Sequence, residues 1–304
     1  MPVSRKRKRP ASSVAKPKAA PLKLPDRRGM EAFLSQLTGG PAESGLAVAQ
    51  DVMYEAWDTP DRQRRIALAT QALSLSPLCA DAYVLLAEEQ ARTPEEALDL
   101  YRRGMEAGEK AIGQKAFTED AGHFWGILET RPYMRARLGL AMLLRASGAR
   151  DETIVHLQGM LRLNPGDNQG VRYILLSLLL ETGRDDEAKT LLDRYDGDIG
   201  ASWPWGAVLL SYRREGDGTV TRGLLDSAMK TNGHVPAYLL GRKKLPVRMP
   251  EYITPGGEDE AEEYVRDAVT AWTETPGALP WLETAVPAAA KVRKVAPRRP
   301  RSSR

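Results

Sequence analysis

Three glycines near the middle of the chain, Gly148, Gly183 and Gly216, stand 35 and 33 residues apart, and each separates two apolar runs of helical spacing. The stretch from Arg137 to Pro165 shows the unit most clearly. Leu138, Leu140, Ala141, Leu143 and Leu144 precede Gly148; Ile154, Val155, Leu157, Met160, Leu161 and Leu163 follow it, and Asn164-Pro165 closes the run. A helix with an apolar stripe needs a partner for that stripe, and a glycine between two such helices permits a tight reversal. The spacing therefore predicts antiparallel helix pairs that recur along the chain and must stack to bury what each pair alone leaves open.

Two antiparallel helices per unit of roughly 34 residues, ended by proline, is the tetratricopeptide layout. With Gly148 at the turn, the close-packing sites fall on Leu140, Ala141, Leu144, Leu157 and Met160, with Thr153 at a small-residue site. The expected fold class is all-α: a tetratricopeptide-like right-handed solenoid of about five repeats with a C-terminal capping helix. Repeat one runs from about Leu46 to Pro77, with Val48, Val52, Met53, Ala56 and Trp57 facing Ile66, Ala69, Ala72, Leu73 and Leu75. Asp58 or Thr59 is the expected N-cap of its second helix, with Pro60 in the first turn. Repeat two places Tyr83, Leu86 and Ala87 against Ala97, Tyr101 and Gly104, with Thr93-Pro94 as cap and first residue.

Pro77 and Pro165 are 88 residues apart, more than two repeats, so residues 105–132 read as an insertion. It holds His123, Trp125 and Arg131, which are candidate binding residues because solenoid insertions often carry function. The alternative is a lengthened second helix, with Phe124 and Trp125 covering a stack edge. Repeat four begins near Asn168, and repeat five carries Trp205, Val208, Leu209 and Tyr212. Residues 237–284 read as the cap, whose amphipathic helix from Glu258 to about Thr275 covers the open end of the stack.

The net charge of +4 conceals two basic ends. Residues 1–28 carry +9 and residues 288–304 carry +7, which leaves −12 on residues 29–287. The division expected is a disordered basic tail over 1–28, a repeat domain over 29–284 and a second basic tail over 285–304. A short helix is expected from Met30 to Leu37. Clustered Lys and Arg displace phosphate counterions, so nucleic acid is a conceivable partner of the tails. No aromatic residue interleaves with those charges to stack on bases. No apolar run approaches the roughly 18 residues of a membrane helix, and the basic start meets Pro10 rather than an apolar leader. The one cysteine, Cys79, excludes an intramolecular disulfide and suits a reducing compartment, so the expected location is cytoplasmic.

Three stretches carry a family likeness. Cys79-Ala80-Asp81-Ala82-Tyr83-Val84-Leu85-Leu86-Ala87-Glu88-Glu89 opens it, Asn232 to Leu240 continues it, and Glu260-Ala261, Tyr264, Trp272 and Gly277-Ala278-Leu279 close it in the same order. Together they resemble the suppressor of tumorigenicity 7 family over roughly residues 60–283. The resemblance implies a helical-repeat scaffold without an established catalytic reaction. Animal members carry hydrophobic segments ahead of the repeats; this sequence shows none, so membrane attachment is not carried over.

Little in the sequence suggests chemistry. His123, His156 and His234 lie in different parts of the chain with no paired spacing, so neither a metal nor a cofactor is expected. Asp196-Gly197-Asp198 lacks the remaining ligands of a calcium loop and reads as a turn. The expected function is non-catalytic binding of a protein or peptide in the concave groove. Counting from the turn glycines, the groove sites are Arg135, Asn168, Gln169, Arg172, Trp203 and Arg213. Guanidinium groups suit carboxylates and Trp203 suits an apolar anchor, which points to an acidic or C-terminal-carboxylate segment. The competing expectation pairs those arginines with acids on neighbouring helices, Glu181 or Asp217 among them, and closes the groove with the chain itself. Oligomeric state is not legible.

Overall fold

The computed structural model describes residues 45–248 and 252–286, and every regular element among them is helical. The basic ends and the Met30–Leu37 helix expectation lie outside the described residues. The helices are α1 (Gly45–Asp58), α2 (Arg62–Leu75), α3 (Ala80–Glu89), α4 (Pro94–Ile112), α5 (Ala116–Glu119), α6 (Arg131–Ala146) and α7 (Arg150–Leu163). They continue as α8 (Val171–Glu181), α9 (Asp185–Arg194), α10 (Ser202–Glu215), α11 (Thr219–Thr231), α12 (Val235–Leu239), α13 (Glu258–Glu274) and α14 (Ala278–Ala285). From α1 to α11 the long helices pack in chain order, and α1 also meets α3, α3 meets α6 and α8 meets α10.

The pairs form for the reasons the periodicity gave. Gly148, Gly183 and Gly216 all take positive φ, at 83°, 68° and 67°, where a side chain would be strained. Leu140, Ala141, Leu144, Leu157 and Met160 are buried together, and Thr153 donates its hydroxyl to the Ala149 carbonyl at 2.9 Å. Thr93 caps α4 by accepting from Glu96 N–H at 3.2 Å, while the Glu96 carboxylate accepts from Arg92 N–H at 2.8 Å.

Repeat one needs two corrections. Asp61 rather than Asp58 or Thr59 caps α2, accepting from Arg64 N–H at 2.7 Å, so Pro60 precedes the helix instead of opening it. Val48 and Leu75 are 43% and 42% exposed. The stripe of α1 runs through Ala49, Met53 and Ala56, one residue out of phase with Val48. Val155 likewise faces outward on α7.

The insertion is largely structural. α4 continues to Ile112, and Phe124 is fully buried against Phe117 and Tyr133, with ring centroids 5.1 and 6.2 Å away. Gly122 N–H donates to the Leu163 carbonyl at 3.0 Å, which ties the insertion to the end of α7.

The C-terminal helix departs from expectation. Instead of covering the end of the stack beyond α11, α13 packs on α8 and α12 and reaches α10 through side chains. The Ser177 hydroxyl donates to the Asp267 carbonyl at 2.6 Å, Trp272 meets Trp205 at 6.3 Å, and Arg213 donates to the Ala271 carbonyl at 3.2 Å. The physical reason lies in α8, where every residue from Leu175 to Leu180 is buried. A helix apolar on all sides must be covered on all sides, and the Ala261, Tyr264, Val265, Ala268, Ala271, Trp272 stripe of α13 supplies the cover.

Candidate functional site

The three arginines expected to line one wall are each committed within the chain. Arg135 on α6 grips the buried Asp81 of α3 through Nε at 2.7 Å and Nη2 at 2.6 Å, and Gln50 of α1 adds a bond to the same carboxylate at 2.9 Å. Arg172 on α8 holds Asp167 at 3.0 Å and Asp198 at 2.7 Å, with the rings of Tyr173, Tyr195 and Trp203 within 5.8 Å of its guanidinium. Arg213 on α10 pairs with Asp185 at 2.9 Å and bonds Thr275 at 2.8 Å. The acids are therefore aspartates of neighbouring turns and helices, not Glu181 or Asp217. Those two pair instead with Arg150 and Arg222. Forked ion pairs of this kind fix geometry between helices and leave no empty guanidinium edge as a carboxylate receptor.

The other expected residues scatter. Trp203 belongs to the core: it is 4% exposed, and its indole N–H donates to the Leu192 carbonyl at 3.3 Å. It is no groove anchor, because Tyr195 from the turn after α9 and Tyr173 from α8 both meet its ring edge-on. Gln169 donates to the Met134 carbonyl at 3.3 Å, which links two units, and Asn168 is exposed in the adjoining turn. In the insertion His123 is exposed, while Arg131 lies over the Trp125 ring at 5.3 Å and donates to the Trp125 carbonyl at 2.9 Å. Asp198, within the turn read from the sequence, is the partner of Arg172 and also accepts from Gly200 N–H at 2.8 Å.

A different region is open. Between α3, α4 and α6 lies a cavity of about 560 Å³ lined by Val84, Ala87, Tyr101, Leu138, Met142 and Leu143, with Glu88 and Arg135 also at its walls. Met142 is 38% exposed at the edge. Burial and the Glu88 charge push the Tyr101 phenol up to about 12, so the ring stays neutral and serves as wall. The sequence signal was Gly139 in the middle of α6. A Cβ there would lie 2.1 Å from the Tyr101 ring, so the glycine admits that ring at a cost of about 1 kcal/mol against alanine. Among the described residues, no group of three or more His, Cys, Asp or Glu side chains could hold a metal ion. Burial pushes the Cys79 thiol up to about 12, which makes it an inert core residue. No described helix is long and apolar enough to cross a membrane.

The profile of the ST7 protein family matches residues 42–214, from just before α1 to the end of α10. The chain belongs to this family. The suppressor of tumorigenicity 7 protein-like of Gallus gallus is 31% identical over 257 residues, covering 77% of this chain and 46% of the relative. Its Homo sapiens counterpart is 30% identical over 261 residues, 78% of this chain and 45% of the relative. The ST7 homolog of Caenorhabditis elegans is 28% identical over 274 residues, covering 76% and 49%. The chain thus spans about half the length of the ST7 relatives it matches. Among solved structures, YrrB, described as a TPR protein with an unusual peptide-binding site, is 18% identical with a TM-score of 0.42, covering 66% of this chain and 91% of that one. The ST7 alignment includes α3 and α6, and hence the walls of the open cavity.

Proposed function

We propose that this chain is a non-catalytic protein-binding scaffold whose receptor site is the cavity between α3, α4 and α6. The observation that carries the reading is an apolar recess of about 560 Å³ on the inner side of the stack, floored by Val84, Ala87 and Leu138 and rimmed by the exposed Met142. A recess of that size takes one bulky apolar side chain with its flanking backbone, and buried aromatic or aliphatic anchors dominate the energetics of such contacts. Membership of a family read as helical-repeat scaffolds supports it, as does the pairing of the helices. In this reading the pairs are about five units of a right-handed solenoid, and α13 closes the groove at its C-terminal half.

The acid-binding reading is narrower here. Arg135 is the arginine beside the recess, and because Asp81 already holds it, a ligand carboxylate would have to compete for it. The groove proposal therefore rests first on an apolar anchor, with an adjacent acidic residue as a secondary feature. A cytoplasmic setting suits the single buried thiol. The nucleic-acid reading depends on the basic ends, outside the described residues, and no observation among those described favours it.

The test is selection from a random peptide display library on the full chain. Selected peptides should share one bulky apolar residue, and Met142→Glu and Ala87→Leu should each lower their affinity at least about tenfold. Selection of no common anchor, or binding indifferent to both substitutions, rejects this site.

A further inference from the structure

One half-buried arginine breaks the rule that the three above follow. Arg135, Arg172 and Arg213 each hold at least one aspartate within 3 Å. Arg137, one turn along α6 from Tyr133, bonds only the Tyr133 hydroxyl, at 2.9 Å, and its Nε is buried without an acceptor. The helix opposite makes room for it: a Cβ on Gly159 of α7 would fall 1.9 Å from Arg137 Nη2. A mid-helix glycine costs about 1 kcal/mol relative to alanine, and here that cost lodges beside α7 a guanidinium whose hydrogen bond is to the Tyr133 hydroxyl.

His156 lies one turn before Gly159 on the same helix. Its Nδ1 is also buried without a partner, and its Nε2 is 4.0 Å from Glu152. Burial, then the Arg137 charge, lowers its pKa, and Glu152 only partly opposes them. At the outer edge Arg102 of α4 meets Glu152 of α7 at 3.4 Å, and both are about half exposed. Arg162 of α7 and Glu109 of α4 act on Tyr133 from the same surroundings. The charged groups between α4 and α7 are thus Arg102, Arg137 and Arg162 against Glu109 and Glu152, with the histidine among them. This is an excess of positive charge in a body that carries −12 over residues 29–287.

The geometry points to an oxyanion site of the phosphate type between α4 and α7, with Arg137 and His156 as its donors and Arg102 at its half-exposed edge. Buried nitrogens without acceptors are rare in native proteins, and where they persist an ion or water commonly answers them. A phosphoryl group offers several acceptor oxygens and suits a guanidinium better than any single carbonyl does. The bound charge would also raise the His156 pKa, because it opposes the Arg137 field.

The test follows the His156 ring by NMR in the full chain, with its signals assigned through His156→Asn. Inorganic phosphate and phosphoserine are titrated separately, against sodium chloride at matched ionic strength. Either phosphate should raise the His156 midpoint by about half a pH unit, saturably, and Arg137→Gln should remove the response. Arg102→Gln, at an exposed position, should weaken binding severalfold and serves where Arg137→Gln does not fold. A stronger response to phosphoserine identifies a phosphorylated side chain as the source; an equal one identifies free phosphate. An ionic-strength effect only, or a response unchanged in both variants, overturns the site.

Discussion

The helical body has two halves that treat the apolar faces of their helix pairs differently. Over α8 and α10 the chain covers itself: α13 lays its stripe against Leu175–Leu180, and Trp272 and Trp205 seal the contact. Between α3, α4 and α6 a recess remains instead, with the Tyr101 ring of α4 against Gly139 and Arg135, paired to Asp81, at its wall. Both halves are built from the same helix pairs, so the repeat itself does not decide whether a groove is open. What decides it is whether a later helix carries a matching stripe.

The largest expected effect breaks the sealed half. Trp272 is fully buried, and its indole N–H donates to the Tyr264 hydroxyl at 2.8 Å. Trp272→Ala should cost about 4 kcal/mol, combining lost burial with a cavity against Trp205. Denaturant melts should show the loss, and hydrogen exchange should rise in α8 and α13 well before α1–α3. Uniform exchange through the whole chain would mean that the halves are one cooperative unit.

The open half has its own keystone in Asp81, which is fully buried and bonded by Arg135 and Gln50. Asp81→Ala removes the forked carboxylate from the largely buried Arg135 guanidinium and should cost about 3 kcal/mol. Here exchange should rise first in α1, α3 and α6. A drop below about 1 kcal/mol would show that Asp81 is not what holds Arg135, which also lies over the Trp57 ring at 5.2 Å.

The repeat shared by both halves answers to Ala141, which is fully buried where α6 meets α7, with its carbonyl 3.5 Å from the Thr153 hydroxyl. Ala141→Leu should overpack that contact by about 2 kcal/mol. An unchanged melting temperature would contradict the helix phase counted from Gly148.

Much of this was legible because period is a local property. Gly148, Gly183 and Gly216 mark their turns without any knowledge of tertiary structure, and Thr93-Pro94 marks the start of α4. The groove was not legible, because the face on which Arg172 sits says nothing about whether Asp167 and Asp198 will meet it. Asp198 comes 26 residues later, from a turn read only as a turn. Trp203 failed for a related reason: a site counted as inward-facing is open only if nothing follows to cover it. One clue was available. Ile174 to Leu180 is apolar on every side of its helix, which is too much for a groove wall and enough to require α13 above it. The recess left a fainter trace in Gly139, which registers a close approach without naming Tyr101.

The smallest expected effect lies on the seam between the halves. Arg145, in the last turn of α6, reaches Asp267 of α13 at 2.9 Å, and the side chains are 22% and 35% exposed. Water screens a pair at that depth, so Arg145→Ala should cost only about 0.5 kcal/mol. Its value is as a discriminator. If α13 is held by its apolar stripe and by Ser177, Arg213 and the Trp272–Trp205 contact, losing Arg145 leaves exchange in α13 unchanged. If instead the pair positions α13 relative to α6, exchange should rise at Asp267 and its neighbours, and the edge of the recess near Ala146 should change with it. The contacts of α13 favour the first outcome, because its other ties fall on α8 and α10 rather than α6. A peptide that binds the recess equally well in the Arg145→Ala protein would then separate the receptor half from the sealed half.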